Sequence, residues 1–164
     1  EIWLGLVGSE MCIRDRVAQG SMSGFTWAPV FMSYGNNNRT NSMRIPKGGG
    51  RVELRPSDSA CNPYLTSAMC LAAGLEGIAE NLDPGEPNTE NMYLVSQQER
   101  EARGVFMLPR TLEEAVNAFK LDPLSHEVFG EAMFTSWTEY QQAEWLSYLN
   151  HVSDWEVKRY LRFF

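Results

Sequence analysis

The stretch Asn38-Arg39-Thr40-Asn41-Ser42-Met43-Arg44-Ile45-Pro46-Lys47-Gly48-Gly49-Gly50-Arg51-Val52-Glu53-Leu54-Arg55 sets the reading of the whole chain. Successive side chains of an extended strand point to opposite faces, so Arg51, Glu53 and Arg55 share one face while Val52 and Leu54 share the other. The glycine run between Thr40–Ile45 and Arg51–Arg55 predicts a β-hairpin. From Asn36 to Arg55 the chain carries Arg39, Arg44, Lys47, Arg51 and Arg55 against one acid, Glu53, a net +4; the whole chain is −7, which leaves −11 elsewhere. A basic focus in an acidic chain points to a bound anion, and one carboxylate among arginines points to a cation held beside that anion. A polyphosphate with a divalent metal fits both. The competing reading of the same residues is a cross-strand ion-pair ladder on a solvated face.

Outward from this window the chain divides into an extended first part and a helical second part. Ala28–Tyr34, opened by Pro29, reads as a strand, and Asn36-Asn37-Asn38 as a turn. The early part is therefore expected to be antiparallel β. Asn62-Pro63 marks a helix start, with Asn62 as cap and Pro63 where its missing N–H costs nothing. Leu65, Ala68, Met69, Ala72, Leu75, Ala79 and Leu82 then follow helical spacing, with Leu71 and Ile78 as a second apolar edge, so this helix is expected to be the most buried. Gly74 and Gly77 within it suggest close approach of another backbone. Asp83-Pro84-Gly85 is expected to end it.

Further on, a short helix is expected over Gln97–Arg103. Thr111 with Glu114 forms a capping box ahead of Leu112, Ala115, Val116 and Phe119. Pro123 interrupts, another short helix is expected through Val128, and a longer one carries Phe134, Trp137, Gln141, Trp145, Tyr148 and Val152 on one side. Ser153 with Glu156 caps a last short helix. His126 and His151 have no partner at metal or triad spacing and read as surface residues.

The totals fit one soluble domain with one core: 164 residues, 43% hydrophobic and 21% charged. A pI near 4.9 argues against nucleic acid or an anionic membrane as partner. Cys12, Cys61 and Cys70 make no metal-ligand pattern; on one helix Cys61 and Cys70 would stand ~13 Å apart, too far for a disulfide. Reduced thiols, no apolar run of membrane-spanning length and no signal peptide lead to an expectation of a cytoplasmic protein. Residues 1–16, EIWLGLVGSEMCIRDR, resemble the translated read-through of a sequencing-library adapter and are read as non-native, which makes 17–164 the domain proper.

Taken in order, Asn38-Arg39-Thr40, Arg44-Ile45-Pro46, Arg51-Val52-Glu53-Leu54-Arg55, Cys61-Asn62-Pro63-Tyr64-Leu65, Ala72-Ala73-Gly74-Leu75-Glu76-Gly77-Ile78 and Asp83-Pro84-Gly85 resemble the C-terminal part of the catalytic domain of glutamine synthetases. The ending Val152-Ser153-Asp154-Trp155-Glu156 with Arg159-Tyr160-Leu161 is similar to the subgroup that includes γ-glutamylmethylamide synthetases. The resemblance implies an α+β fold in which antiparallel strands wall an active site and helices pack behind them. It implies an ATP-dependent ligase that makes γ-glutamyl phosphate from glutamate and then an amide with ammonia, using Mg²⁺ or Mn²⁺. Negative charge gathers in such a reaction, so it needs fixed guanidiniums and metal ions.

By motif, Arg39 is implied as a catalytic contact to the transferring phosphoryl, Arg39, Arg44 and Arg51 as ATP contacts, Lys47 as a weaker one, Glu53 as a metal ligand and Arg55 as a glutamate contact. Tyr93 stands where some bacterial members are adenylylated, but its surroundings diverge and it reads as a plain loop tyrosine. Trp27 stands before Ala28-Pro29, where the common bacterial enzyme has a glutamate that helps deprotonate ammonium. An aromatic there could stack over an alkylammonium, which makes γ-glutamyl-alkylamide or polyamine ligation the alternative chemistry and Trp27 a candidate amine-site residue. A non-catalytic binding or assembly paralogue is the alternative of another class. The resemblance also implies a ring-shaped, dodecamer-type homo-oligomer, and a segment inactive by itself because the other metal ligands lie upstream.

Overall fold

The computed structural model describes residues 29–57 and 61–163. Trp27 and the segment 1–16 lie outside the described residues. The architecture is α+β, as expected: β1 (Tyr34–Asn36), β2 (Met43–Ile45) and β3 (Glu53–Leu54) form a sheet in the order β1-β2-β3, followed by α1 (Pro63–Ala79), α2 (Gln97–Ala102), α3 (Leu112–Leu121), α4 (Pro123–Leu149) and α5 (Asp154–Tyr160).

The hairpin is present, with β2 and β3 antiparallel and Met43 opposite Leu54. The expectation of an entirely antiparallel sheet is corrected at β1, which runs parallel to β2 with Tyr34 opposite Met43. Parallel neighbours ordinarily need a long crossover. Here the short return loop is held by side chains instead. Ser42 Oγ donates to Ser33 O (3.0 Å) and accepts from Ser33 N (3.2 Å). Asn38 Nδ2 donates to the carbonyls of Asn88 (3.0 Å) and Glu90 (2.7 Å). Gly35 lets this loop close: a Cβ there would lie 2.3 Å from the Asn88 carbonyl oxygen. Of the strand expected over Ala28–Tyr34, the described residues show one antiparallel bridge, Phe31 to Met107, before β1 begins. Val52 is 58% exposed, so the apolar face expected of Arg51–Arg55 is only partly covered.

Two apolar clusters support this arrangement. Phe31, Met92, Val95 and Val105 form one, with the Arg100 guanidinium 4.3 Å from the centre of the Phe31 ring. Met69, Phe119 and Leu124 form the other, flanked by Phe129, Phe134 and Trp137.

Local signals set the helix ends. Asn62 Oδ1 accepts from Tyr64 N (3.0 Å) and Leu65 N (3.3 Å). Helix α1 stops at Ala79, ahead of Asp83-Pro84-Gly85, because Asn81 takes a left-handed conformation (φ 51°) and Leu82 N bonds back to Gly77 O (2.9 Å), a Schellman closure. Thr111 Oγ1 accepts from Glu114 N (3.1 Å), while Glu114 Oε2 accepts from Arg110 N (2.7 Å), one residue before the cap. Both halves of the Ser153/Glu156 capping box are made, and the Ser153 N–H and hydroxyl, both donating to Glu156 Oε2, hold that carboxyl below its usual range. Pro123 opens α4, and the break at Gly130 (φ 67°, ψ 159°) divides it into the two helical stretches expected; only glycine adopts that backbone without strain.

Helix α1 is not the most buried helix. Met69 is its one buried residue, while Leu71, Leu75 and Ile78 are 66–74% exposed. Spacing identifies an apolar face but not what meets it. Among the described residues, nothing beyond the helix's own neighbouring backbone lies within 4 Å of a Cβ built at Gly74 or Gly77, so the close-approach reading of those glycines is corrected as well. Met69→Ala is therefore expected to lower stability by about 2–5 kcal/mol, while Leu75→Ala stays within about 1 kcal/mol. Urea denaturation of the two variants checks this, and equal losses would contradict the burial pattern.

Candidate active site

The sheet brings three of the expected site residues together. The register places Arg44 on β2 directly opposite Glu53 on β3. Arg44 Nη1 donates to Glu53 Oε1 at 2.7 Å, and Arg55 Nη1 lies 3.6 Å from Glu53 Oε2. The Arg44 side chain is 13% exposed, that of Arg55 19% and that of Glu53 36%. The hydrogen bond from Arg44, followed by the charges of Arg44, Arg55 and Arg51, holds the Glu53 carboxyl below its ordinary range, with partial desolvation opposing them. Glu53 is thus ionised at neutral pH. A partly exposed cross-strand pair by itself contributes little to stability, but three guanidiniums around one carboxylate leave a surplus of positive charge.

Arg51 is exposed at the edge of this cluster, and Lys47 is exposed at the turn, where Gly49 N bonds to Pro46 O (3.0 Å). Arg39 lines an open cleft of about 450 Å³ together with Asn36, Asn37, Asn38, Thr40, Thr89 and Asn91. Its floor is fixed by the Asn38 bonds already described, by Thr40 Oγ1 donating to Asn38 Oδ1 (2.7 Å), and by Met92 N donating to Thr40 Oγ1 (3.1 Å). Asn37 connects cleft and cluster, since its Oδ1 accepts from Arg44 Nη2. Sequence reasoning took Asn37 for a turn residue. The available signal was three consecutive asparagines abutting a cationic window.

Among the described residues, no group of three or more His, Cys, Asp or Glu side chains could by itself hold a metal. Glu53 fits as a single ligand: Oε1 is taken by Arg44, and the longer Arg55 contact leaves room at Oε2. His126 is on the surface, as expected, where its Nε2 lies 2.8 Å from the Glu131 carboxylate across the Gly130 break. Tyr93 is half-buried, its ring 6.2 Å from that of Phe31. No described helix is long and apolar enough to cross a membrane.

Comparison with known proteins identifies the family. A family model described as glutamine synthetase, catalytic domain, matches residues 21–160. The chain is 43% identical over 144 residues to a glutamate–methylamine ligase of Methyloversatilis universalis, covering 88% of this chain and 32% of that protein. It is 44% identical over 137 residues to a glutamine synthetase of Methanosarcina mazei, covering 82% and 31%. It superimposes on GmaS in complex with ADP with a TM-score of 0.74 at 33% identity, covering 98% of this chain and 39% of that one, and on GmaS without ligand with a TM-score of 0.70. The chain spans about a third of the length of the curated relatives it matches. On the joint testimony of the arginine-bound carboxylate, the fold and these matches, the chain belongs to the glutamine synthetase catalytic-domain family.

Proposed function

We propose that the chain is the C-terminal part of the catalytic domain of an ATP-dependent ligase, and that it forms one wall of a site where glutamate is joined to ammonia through γ-glutamyl phosphate. The observation that carries this reading is the convergence of Arg44 and Arg55 on Glu53, beside the cleft that Arg39 lines. Arg39, Arg44 and Arg51 supply fixed positive charge to the nucleotide phosphates and the moving phosphoryl, and Arg55 holds the glutamate. Glu53 offers one carboxylate oxygen to Mg²⁺ or Mn²⁺, which when bound would offset phosphate charge. Being already ionised, Glu53 needs no proton removed before it binds a cation. The complete enzyme is proposed to be a cytoplasmic homo-oligomer, and this segment inactive without the rest.

A second reading, alkylamide formation, is favoured by Trp27 in the place of a carboxylate and by the methylamine ligase among the relatives. An amine that enters as a cation can be held by an aromatic face. Assaying the full-length enzyme with ATP, glutamate and either ammonia or methylamine separates the two. A higher kcat/KM with ammonia supports the first reading, a higher one with methylamine the second, and ATP-dependent turnover of neither means a non-catalytic paralogue.

A further inference from the structure

Resting on the reading of Arg44 as a nucleotide contact, we infer that Asn37 is a positioning residue for the Arg44 guanidinium and so sets nucleotide affinity. The two terminal nitrogens of Arg44 are committed to different neighbours: Nη1 to Glu53 Oε1 (2.7 Å) and Nη2 to Asn37 Oδ1. These partners come from opposite sides, Glu53 from β3 and Asn37 from the residue just past β1. A planar guanidinium held at both tips cannot turn about its long side chain, and little freedom is left to lose when an anion arrives.

Asn37 is itself fixed. Its backbone is left-handed (φ 53°), and its N–H donates to Ile45 O at 2.7 Å at the end of β2. It also lines the cleft with Arg39, so the grip on Arg44 is applied at the edge of the space an anion would enter. The chemistry of the acceptor matters. An amide oxygen orients the guanidinium without cancelling its charge, whereas a second carboxylate here would neutralise the group meant to meet the phosphates. Asparagine is also among the few residues that take the left-handed backbone readily while carrying an acceptor.

The test is a double-mutant cycle on ADP affinity, measured by calorimetry on the full-length enzyme, with kcat and the KM for ATP recorded alongside. Asn37→Gly deletes the acceptor and keeps the left-handed backbone at no steric cost. It is expected to weaken ADP about tenfold in the wild-type background and to have no further effect in Arg44→Ala, the loss showing in KM more than kcat. Equal losses in both backgrounds would overturn the inference, because a purely structural role does not depend on Arg44. Arg44→Lys provides a measurement that leaves Asn37 untouched: it keeps the charge but cannot span both partners, so ADP affinity unchanged from wild type would also overturn the inference. If Arg44→Ala itself leaves ADP affinity unchanged, the reading of Arg44 as a nucleotide contact fails, an outcome distinct from either of these.

Discussion

Glu53→Gln is expected to lower kcat/KM for amide formation in the full-length enzyme by about 10²-fold or more while the protein stays folded. The substitution keeps the size and shape of the side chain and removes its charge. It turns the charge-assisted bond that Arg44 makes at 2.7 Å into one to a neutral amide, and it puts that amide where a metal ligand is proposed. Because the carboxyl titrates below its ordinary range, the wild-type ion pair is complete above the unfolded-state value. It is lost only as pH falls through the lower folded-state value. The variant lacks the pair at every pH, so the ratio of wild-type to variant activity should shrink towards acid pH. Steady-state kinetics with a circular-dichroism check of folding decide the matter. A variant within about threefold of wild type would sink the assignment of Glu53 and leave it a structural strand pair.

Phe119→Ala is expected to cost about 3–5 kcal/mol of stability, the largest loss available from one side chain in the helical half. The ring is 1% exposed and meets two others, Phe129 edge-on at 5.0 Å and Phe134 stacked at 5.4 Å. Truncation leaves a cavity that three helices would have to collapse together to fill. It also deletes two aromatic contacts worth about 0.5–1.5 kcal/mol each beyond their area. Phe119→Leu should retain more than half of the stability that alanine loses. Urea midpoints of both variants measure this, and a loss below about 1.5 kcal/mol for alanine would show that the cluster repacks freely.

What the sequence disclosed was what neighbours along the chain decide. Asn62, Thr111 and Ser153 cap helices because each bonds to a backbone N–H two or three residues on. The strand Arg51–Arg55 disclosed its charged face through alternation, and with it the company Glu53 keeps. What stayed hidden depends on distant partners. The parallel direction of β1 rests on Asn38 reaching carbonyls fifty and fifty-two residues away, which no local pattern encodes. The exposure of Leu71, Leu75 and Ile78 was illegible because periodicity ranks the faces of a helix without supplying a neighbour. The Asn37 grip on Arg44 was missed for a related reason: an asparagine in a turn looks complete until the register shows which guanidinium lies within its reach.

The break at Gly130 governs angular phase. In an unbroken helix each residue advances about 100°, so Phe129 and Phe134 would emerge about 140° apart and could not both touch one ring. Both touch Phe119. The joint therefore re-indexes the second stretch of α4, so that Trp137 and Gln141 are aimed by the torsion of a single residue. Gly130 acts as the zero mark from which everything up to Leu149 is counted, and one residue added beside it would swing that whole stretch by about 100° while leaving every helix cap intact.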